Sequence, residues 1–177
     1  TRWSMQIENC RIDLVDHRRF ATVKLQKGQI GSGKERNDLI TGFDFKKFMA
    51  KQAPRKVNVK MLLMEGKAVA GIGNIYACEI LHRAGISPYK KSARITSEQW
   101  KALFQAARRI LKTGIEKRGT SISDWRDLYG RQGENQFELQ VYGKEGEKCS
   151  SCGGIISRIN QGGRSTYFCS GCQGIDQ

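Results

Sequence analysis

The sequence predicts an α+β chain in which short strands, then helices, then a cysteine-bearing β-hairpin follow one another. Three observations lead there. Trp3, Met5 and Ile7, then Ile12 and Leu14, alternate at period two. Trp100, Leu103, Phe104, Ala107, Ile110, Leu111 and Ile115 fall on one face at helical spacing. Near the C-terminus Cys149 and Cys152 form one C-x-x-C pair, and Cys169 and Cys172 form another 16 residues later.

Along the chain, Glu8-Asn9 is the turn expected between the first two strands, and Phe20 to Leu25 reads as a further strand. Two or three strands do not hold a sheet alone, so the opening is expected to be cut from something longer. Residues 28–42, rich in Gly, Lys and Asn, read as a linker. Phe43 to Ala53 has helical spacing through Phe45, Phe48 and Met49 until Pro54 stops it. Val57 to Met64 is a short apolar helix candidate. Asn74 starts a helix through Ala84, ended by Gly85. Thr96 and Gln99 form a capping box ahead of the long helix, which Gly119 closes. Residues 120–136 read as a polar loop with a short helix at Ile122–Leu128. Phe137 to Tyr142 alternates into a strand. Ile155–Ile159 and Ser165–Phe168 make a hairpin turned by Gly162-Gly163.

The two C-x-x-C pairs bring four thiolates within reach of one tetrahedral ion, with Gly153, Gly154 and Gly171 relieving the turns. Disulfides within each pair would close small strained rings. One structural Zn²⁺ held by Cys149, Cys152, Cys169 and Cys172 is therefore expected, a closed site that does no chemistry itself. Cys10 and Cys78 lie outside it and read as small buried apolar residues. Reduced thiols with zinc fit an intracellular compartment. Hydrophobic residues make up 38%, enough for a core and too many for a disordered chain, while no apolar run is long enough to span a membrane. The 31 Lys and Arg against 17 acids give +14, which points to a polyanionic partner. These cations are scattered through folded segments instead of lining one amphipathic helix, which favours nucleic acid over a membrane surface. A solvated basic surface is the bland alternative.

Four constellations could carry chemistry, each beside a plainer reading. Gly71-Ile72-Gly73-Asn74 at a helix start could bring backbone amides and the Asn donor to a phosphate, or simply cap a helix. Arg55, Lys56 and Lys60 lie just upstream and could complete a phosphate cradle with Asn74, or form an exposed charged face. Arg18-Arg19-Phe20 reads as a hairpin tip from which an arginine reaches DNA and a Phe wedges between bases; Phe20 as core is the alternative. Arg164, at the start of the ribbon's last strand, is either a rigidly held phosphate ligand or a solvated side chain. His82, in a helix, reads as structural.

Taken in order, DHRRFATV, VNVKMLLMEGKAVAGIGNIYACEILHRAGISP, FELQVYGKEGEKCSSCG and GRSTYFCSGCQ resemble the formamidopyrimidine-DNA glycosylase and endonuclease VIII family, from Asp16 to Gln173. The resemblance implies a remnant of an N-terminal β-sandwich at 1–27, the linker at 28–42, a helix–two-turns–helix DNA-binding module at 43–136 and a zinc ribbon at 137–177. The helices from Asn74 and Thr96 would flank the two turns at 85–95. It further implies a base-excision-repair glycosylase and AP lyase acting on 8-oxoguanine and formamidopyrimidines in duplex DNA, as a monomer.

The same resemblance suggests roles. Asn74 and Lys60 are similar to family residues at the phosphate beside the lesion, and Arg164 to the ribbon arginine that grips phosphate and assists elimination. Arg18 would face the orphaned base and Phe20 would wedge into the stack, a pairing that favours the formamidopyrimidine branch. Residues 120–136 resemble the loop that closes over the extruded base. Two departures stand out. His17 occupies the place of a usual proline, and the chain opens Thr1-Arg2-Trp3 where the family has a nucleophilic proline followed by glutamate. The chain alone is therefore expected to bind DNA without cutting it. A stand-alone zinc-ribbon nucleic-acid-binding protein is the competing expectation; the codons upstream of Thr1 would discriminate the two.

Overall fold

A computed structural model describes residues 2–15, 23, 37–122, 126–127 and 129–174. The chain divides into two compact units, Thr1–Lys34 and Glu35–Gln177.

In the first unit β1 (Arg2–Ile7) pairs antiparallel with β2 (Cys10–Val15) across Glu8-Asn9. Glu8 adopts φ 48°, the left-handed conformation that a two-residue hairpin turn demands. Trp3 faces Leu14 and Met5 faces Ile12 in register, so the period-two pattern lays its apolar residues on one face. Those side chains are exposed. The strand expected at Phe20–Leu25 lies outside the described residues except for Val23, which is exposed and not in a strand.

The second unit is mixed α/β: helices α1 (Phe45–Lys51), α2 (Val59–Leu63), α3 (Asn74–Arg83) and α4 (Ser97–Glu116), then strands β3 (Ile156–Gln161) and β4 (Arg164–Cys169) and the short α5 (Ser170–Gln173). Asp44 caps α1 by accepting from the Lys47 amide at 2.9 Å. The capping box opens α4 as expected: Gln99 N donates to Thr96 Oγ1, and Thr96 N to Gln99 Oε1. Phe48, Trp100 and Phe104 pack edge-on or stacked within 5.5 Å of one another and, with Leu62, Leu63, Ile80, Leu81 and Leu103, form the core where α1, α2, α3 and α4 meet. Gly85 takes φ 64° to leave α3. The turns after it are pinned to the approach of α2 by Val59 N donating to Lys90 O and Ser92 N to Val57 O.

Gly162 and Gly163, both with positive φ, turn β3 into β4, whose register runs from Ile156↔Cys169 to Gln161↔Arg164. A second core of Cys78, Val141, Cys149, Ile156 and Cys169 seats this hairpin on α3.

Four local expectations are corrected. Cys10, expected to be buried, is exposed on β2, whereas Cys78 is buried as expected. Ile115 is 66% exposed and belongs to neither core; Gly114 is the last buried residue of its face. Around the expected Ile122–Leu128 helix, Ile122, Arg126 and Asp127 are non-helical, and the other positions lie outside the described residues. Phe137–Tyr142 is not a strand. A 3₁₀ turn spans Asn135–Glu138, and the amides of Gln140, Val141 and Tyr142 all donate to the Glu79 carboxylate, at 2.8, 3.0 and 2.8 Å. Leu139 and Val141 are buried as alternation implies, yet a side chain on α3 has replaced the strand partner. Among the described residues no helix is long and apolar enough to cross a membrane.

Candidate metal centre and nucleic-acid interface

The four ribbon sulfurs lie within 4.8 Å of one another. The close pairs run across the two knuckles: Cys149 Sγ to Cys172 Sγ is 3.7 Å and Cys152 Sγ to Cys169 Sγ is 3.4 Å. All four thiols are free. A regular tetrahedron with Zn–S of about 2.3 Å has S–S edges of about 3.8 Å, so the donor set fits a tetrahedral thiolate ion in number, softness and spacing. Knuckle geometry supports it: Gly153 N donates to Cys149 O, and Cys149 N donates to Gly154 O. A Cβ on Gly171 would lie 3.1 Å from Cys152 Sγ, which crowds the site and accounts for glycine there. Burial opposes ionisation of Cys149, yet the amides of Ser151 and Cys152 and the His82 ring pull its thiol down to about 6.

The ribbon is held against the helical module by side chains that reach across it. Gln173, buried on α5, accepts from Cys169 N and donates to Ile86 O, both at 2.9 Å. Gln161 donates to Pro88 O at 3.0 Å, and Tyr89 packs edge-on against Phe168.

At the start of α3, Lys60 is fully buried and its Nζ donates to Asn74 Oδ1 at 2.6 Å. Asn74 Nδ2 in turn donates to Ser165 O on β4 at 2.9 Å, with Tyr142 OH at 3.5 Å. The Asn74 amide is thus spent on binding module to ribbon, and the donors left toward solvent are the first-turn backbone amides of α3. Burial lowers the Lys60 ammonium from its ordinary value; Cys78 opposes this and nearby Arg164 adds to it. No carboxylate pairs with Lys60 among the described residues. Arg164 is exposed at the head of β4. The fold therefore brings Lys60, Asn74 and Arg164, spread over more than a hundred residues, to one positive corner.

Arg55 and Lys56 sit apart from that corner's bonding. The Arg55 guanidinium binds Glu65 at 2.8 Å and Gln52 at 3.0 Å, while Lys56 is exposed. Arg18, Phe20 and His17 lie outside the described residues. Sequence reasoning missed Glu79 and Gln173 as organisers. A buried position on a helix face carrying Glu was the available signal for Glu79, since buried carboxylates are found where donors converge.

Two family profiles match. Residues 35–125 match the formamidopyrimidine-DNA glycosylase H2TH domain, and residues 146–174 match the zinc finger found in FPG and IleRS. The chain belongs to the formamidopyrimidine-DNA glycosylase family. Its ribbon accordingly carries a structural zinc, at the four clustered cysteines. A formamidopyrimidine-DNA glycosylase of Desulfitobacterium hafniense is 44% identical over 135 residues, 76% of this chain and 50% of that protein. One from Carboxydothermus hydrogenoformans is 40% identical over 158 residues, 89% of this chain and 59% of that protein. Among solved structures, the Lactococcus lactis Fpg in complex with abasic-site DNA superposes with a TM-score of 0.72 at 40% identity, over 77% of this chain and 51% of that one. The Lactococcus lactis FPG bound to Fapy-dG DNA gives 0.70 at 39% identity, over 77% and 50%. The chain thus spans about half the length of the first relatives it matches.

Proposed function

We propose that this chain is the DNA-gripping part of a base-excision-repair glycosylase and AP lyase that removes oxidised purines, 8-oxoguanine and formamidopyrimidines, from duplex DNA. The observation that carries the reading is Lys60: a buried ammonium with no carboxylate paired to it among the described residues, beside Arg164 and the start of α3. Burying an unpaired cation costs several kcal/mol. A site that tolerates this is built for an anion that arrives later, and a DNA phosphate supplies one. Relatives solved with damaged or abasic-site DNA support the same partner.

In this reading Arg164 grips the phosphate at the damaged nucleotide and assists elimination once a Schiff base exists. Asn74 acts through its helix-start backbone and by holding the ribbon in place. Arg18 and Phe20 fill the gap left by the extruded base, and residues 120–136 close over that base, whose sugar carbon is hidden while it is stacked. Arg55 and Lys56 contribute longer-range attraction to the duplex. The proposed division is a sandwich remnant at 1–27, a linker at 28–42, the helix–two-turns–helix module at 43–136 and the ribbon at 137–177, working as a monomer on DNA inside a bacterial cell. In this reading the chain by itself binds DNA without cutting it.

Binding to a duplex with an abasic-site analogue, followed by anisotropy across a salt series, tests this. Lys60→Met and Arg164→Gln should each reduce the salt slope by about one unit. Unchanged affinity in both variants would show the corner to be misplaced. Borohydride trapping on an 8-oxoguanine duplex should give no adduct; an adduct at enzyme-like rates, lost on replacing one residue, would place a nucleophile within this chain.

A further inference from the structure

His82 stands on α3, buried, with Nε2 3.3 Å from Cys149 Sγ. It is not itself one of the donors: the set whose ligand atoms lie within 4.8 Å of one another comprises the four cysteines alone. A metal-bound thiolate carries no proton and can only accept. The contact is therefore a hydrogen bond only when Nε2 bears the hydrogen.

We propose that His82 is a positioning residue of the zinc centre, whose Nε2–H donates to the Cys149 thiolate. Four thiolates around one Zn²⁺ carry a net charge of about −2, and burying that charge is unfavourable unless donors surround the sulfurs. Each donated N–H withdraws some of the excess and fixes the direction of a sulfur lone pair. The two edges of the cluster obtain their surroundings differently. Beside Cys152 the neighbours are glycines: a Cβ on Gly171 would crowd its sulfur at 3.1 Å, and one on Gly154 would meet it in van der Waals contact at 3.4 Å. Beside Cys149, a side-chain donor comes from outside the ribbon altogether. His82 and Asn74 lie on one helix, so α3 holds the metal centre near its last turn and the β4 backbone at its first. This inference rests on the zinc site and not on the DNA reading.

Nitrogen NMR of the zinc-loaded wild-type protein reads the tautomer directly. Nε2–H is expected, and an Nδ1–H tautomer overturns the proposal without any variant being made. In a second arm, His82→Phe removes the donor at similar volume and His82→Gln keeps an N–H. With cobalt in place of zinc, His82→Phe should shift the thiolate-to-metal charge-transfer band, while His82→Gln stays nearer the wild type. Zinc retention against a chelator should fall by about 10–100-fold in His82→Phe, and iodoacetamide should alkylate its metal-bound thiolates faster. A His82→Phe protein with the wild-type band and alkylation rate would reduce His82 to packing. If that variant does not fold, the tautomer and the His82→Gln band still decide.

Discussion

The Lys60 ammonium donates to the Asn74 side-chain oxygen across 2.6 Å, with none of its own surface exposed. Asn74 passes the constraint on to Ser165 at the head of β4. A buried charge, a helix start and the ribbon are thereby joined in one chain of hydrogen bonds, and the cost of the charge falls on stability.

Lys60→Met should raise the thermal unfolding midpoint while weakening binding to abasic-site duplex at least tenfold. Removing an unpaired buried cation relieves several kcal/mol, and the donor lost to Asn74 returns only about 1–3 kcal/mol of that. Differential scanning calorimetry and anisotropy measure the two effects. A midpoint that falls as for an ordinary core truncation would mean the charge is already compensated.

Burial keeps the Lys60 ammonium below the ordinary value of 10.5, with Cys78 opposing and Arg164 assisting. Between the lowered value and 10.5 the unfolded chain holds a proton that the folded chain has released, so this group makes stability rise with pH in that window. Below the lowered value both states are protonated and the penalty stands in full. A bound phosphate favours the charged form, so binding in that pH window should take up a proton. Titration calorimetry in two buffers of different ionisation heat should detect the uptake in the wild type and lose it in Lys60→Met. Equal uptake in both proteins would assign it elsewhere.

Glu79→Ala should cost about 1–3 kcal/mol, because it strands the buried Val141 amide, for which the described residues show no other acceptor, and frees the part-buried amides of Gln140 and Tyr142. Glu79→Gln keeps a carbonyl acceptor and should cost less. Urea denaturation at saturating zinc separates them; equal losses would show that the carboxylate's hydrogen bonds are not what matters.

Chelating the zinc should unfold the region around residues 146–174 and leave most of the helical signal of α3 and α4, whose core lies outside the ribbon. Affinity for abasic-site duplex should drop with it, since Ser165 no longer holds Asn74 and Arg164 loses its scaffold. Circular dichroism and anisotropy on one chelated sample follow both, and re-adding zinc should restore them. Full helical loss on chelation would mean that the module depends on the ribbon for its folding.

Features ruled by neighbours in sequence were legible without coordinates. The paired C-x-x-C knuckles, the Thr96–Gln99 capping box, the Gly162-Gly163 hairpin and the Glu8-Asn9 turn each follow from local geometry, and each forms. Resemblance to a family supplied candidate roles for Lys60, Asn74 and Arg164, but not their bonding. Only the tertiary structure decided that Lys60 is buried with no carboxylate paired to it among the described residues, that Arg55 turns to Glu65, and that His82 meets a zinc cysteine. It also decided that Phe137–Tyr142 surrenders its strand to the Glu79 carboxylate. The physical reason is sequence separation. Periodicity and capping are set within a turn or two of chain, whereas Glu79 and Tyr142 stand 63 positions apart and His82 and Cys149 stand 67. Which distant group satisfies a buried donor or charge is settled only when packing closes off the water that would otherwise do so.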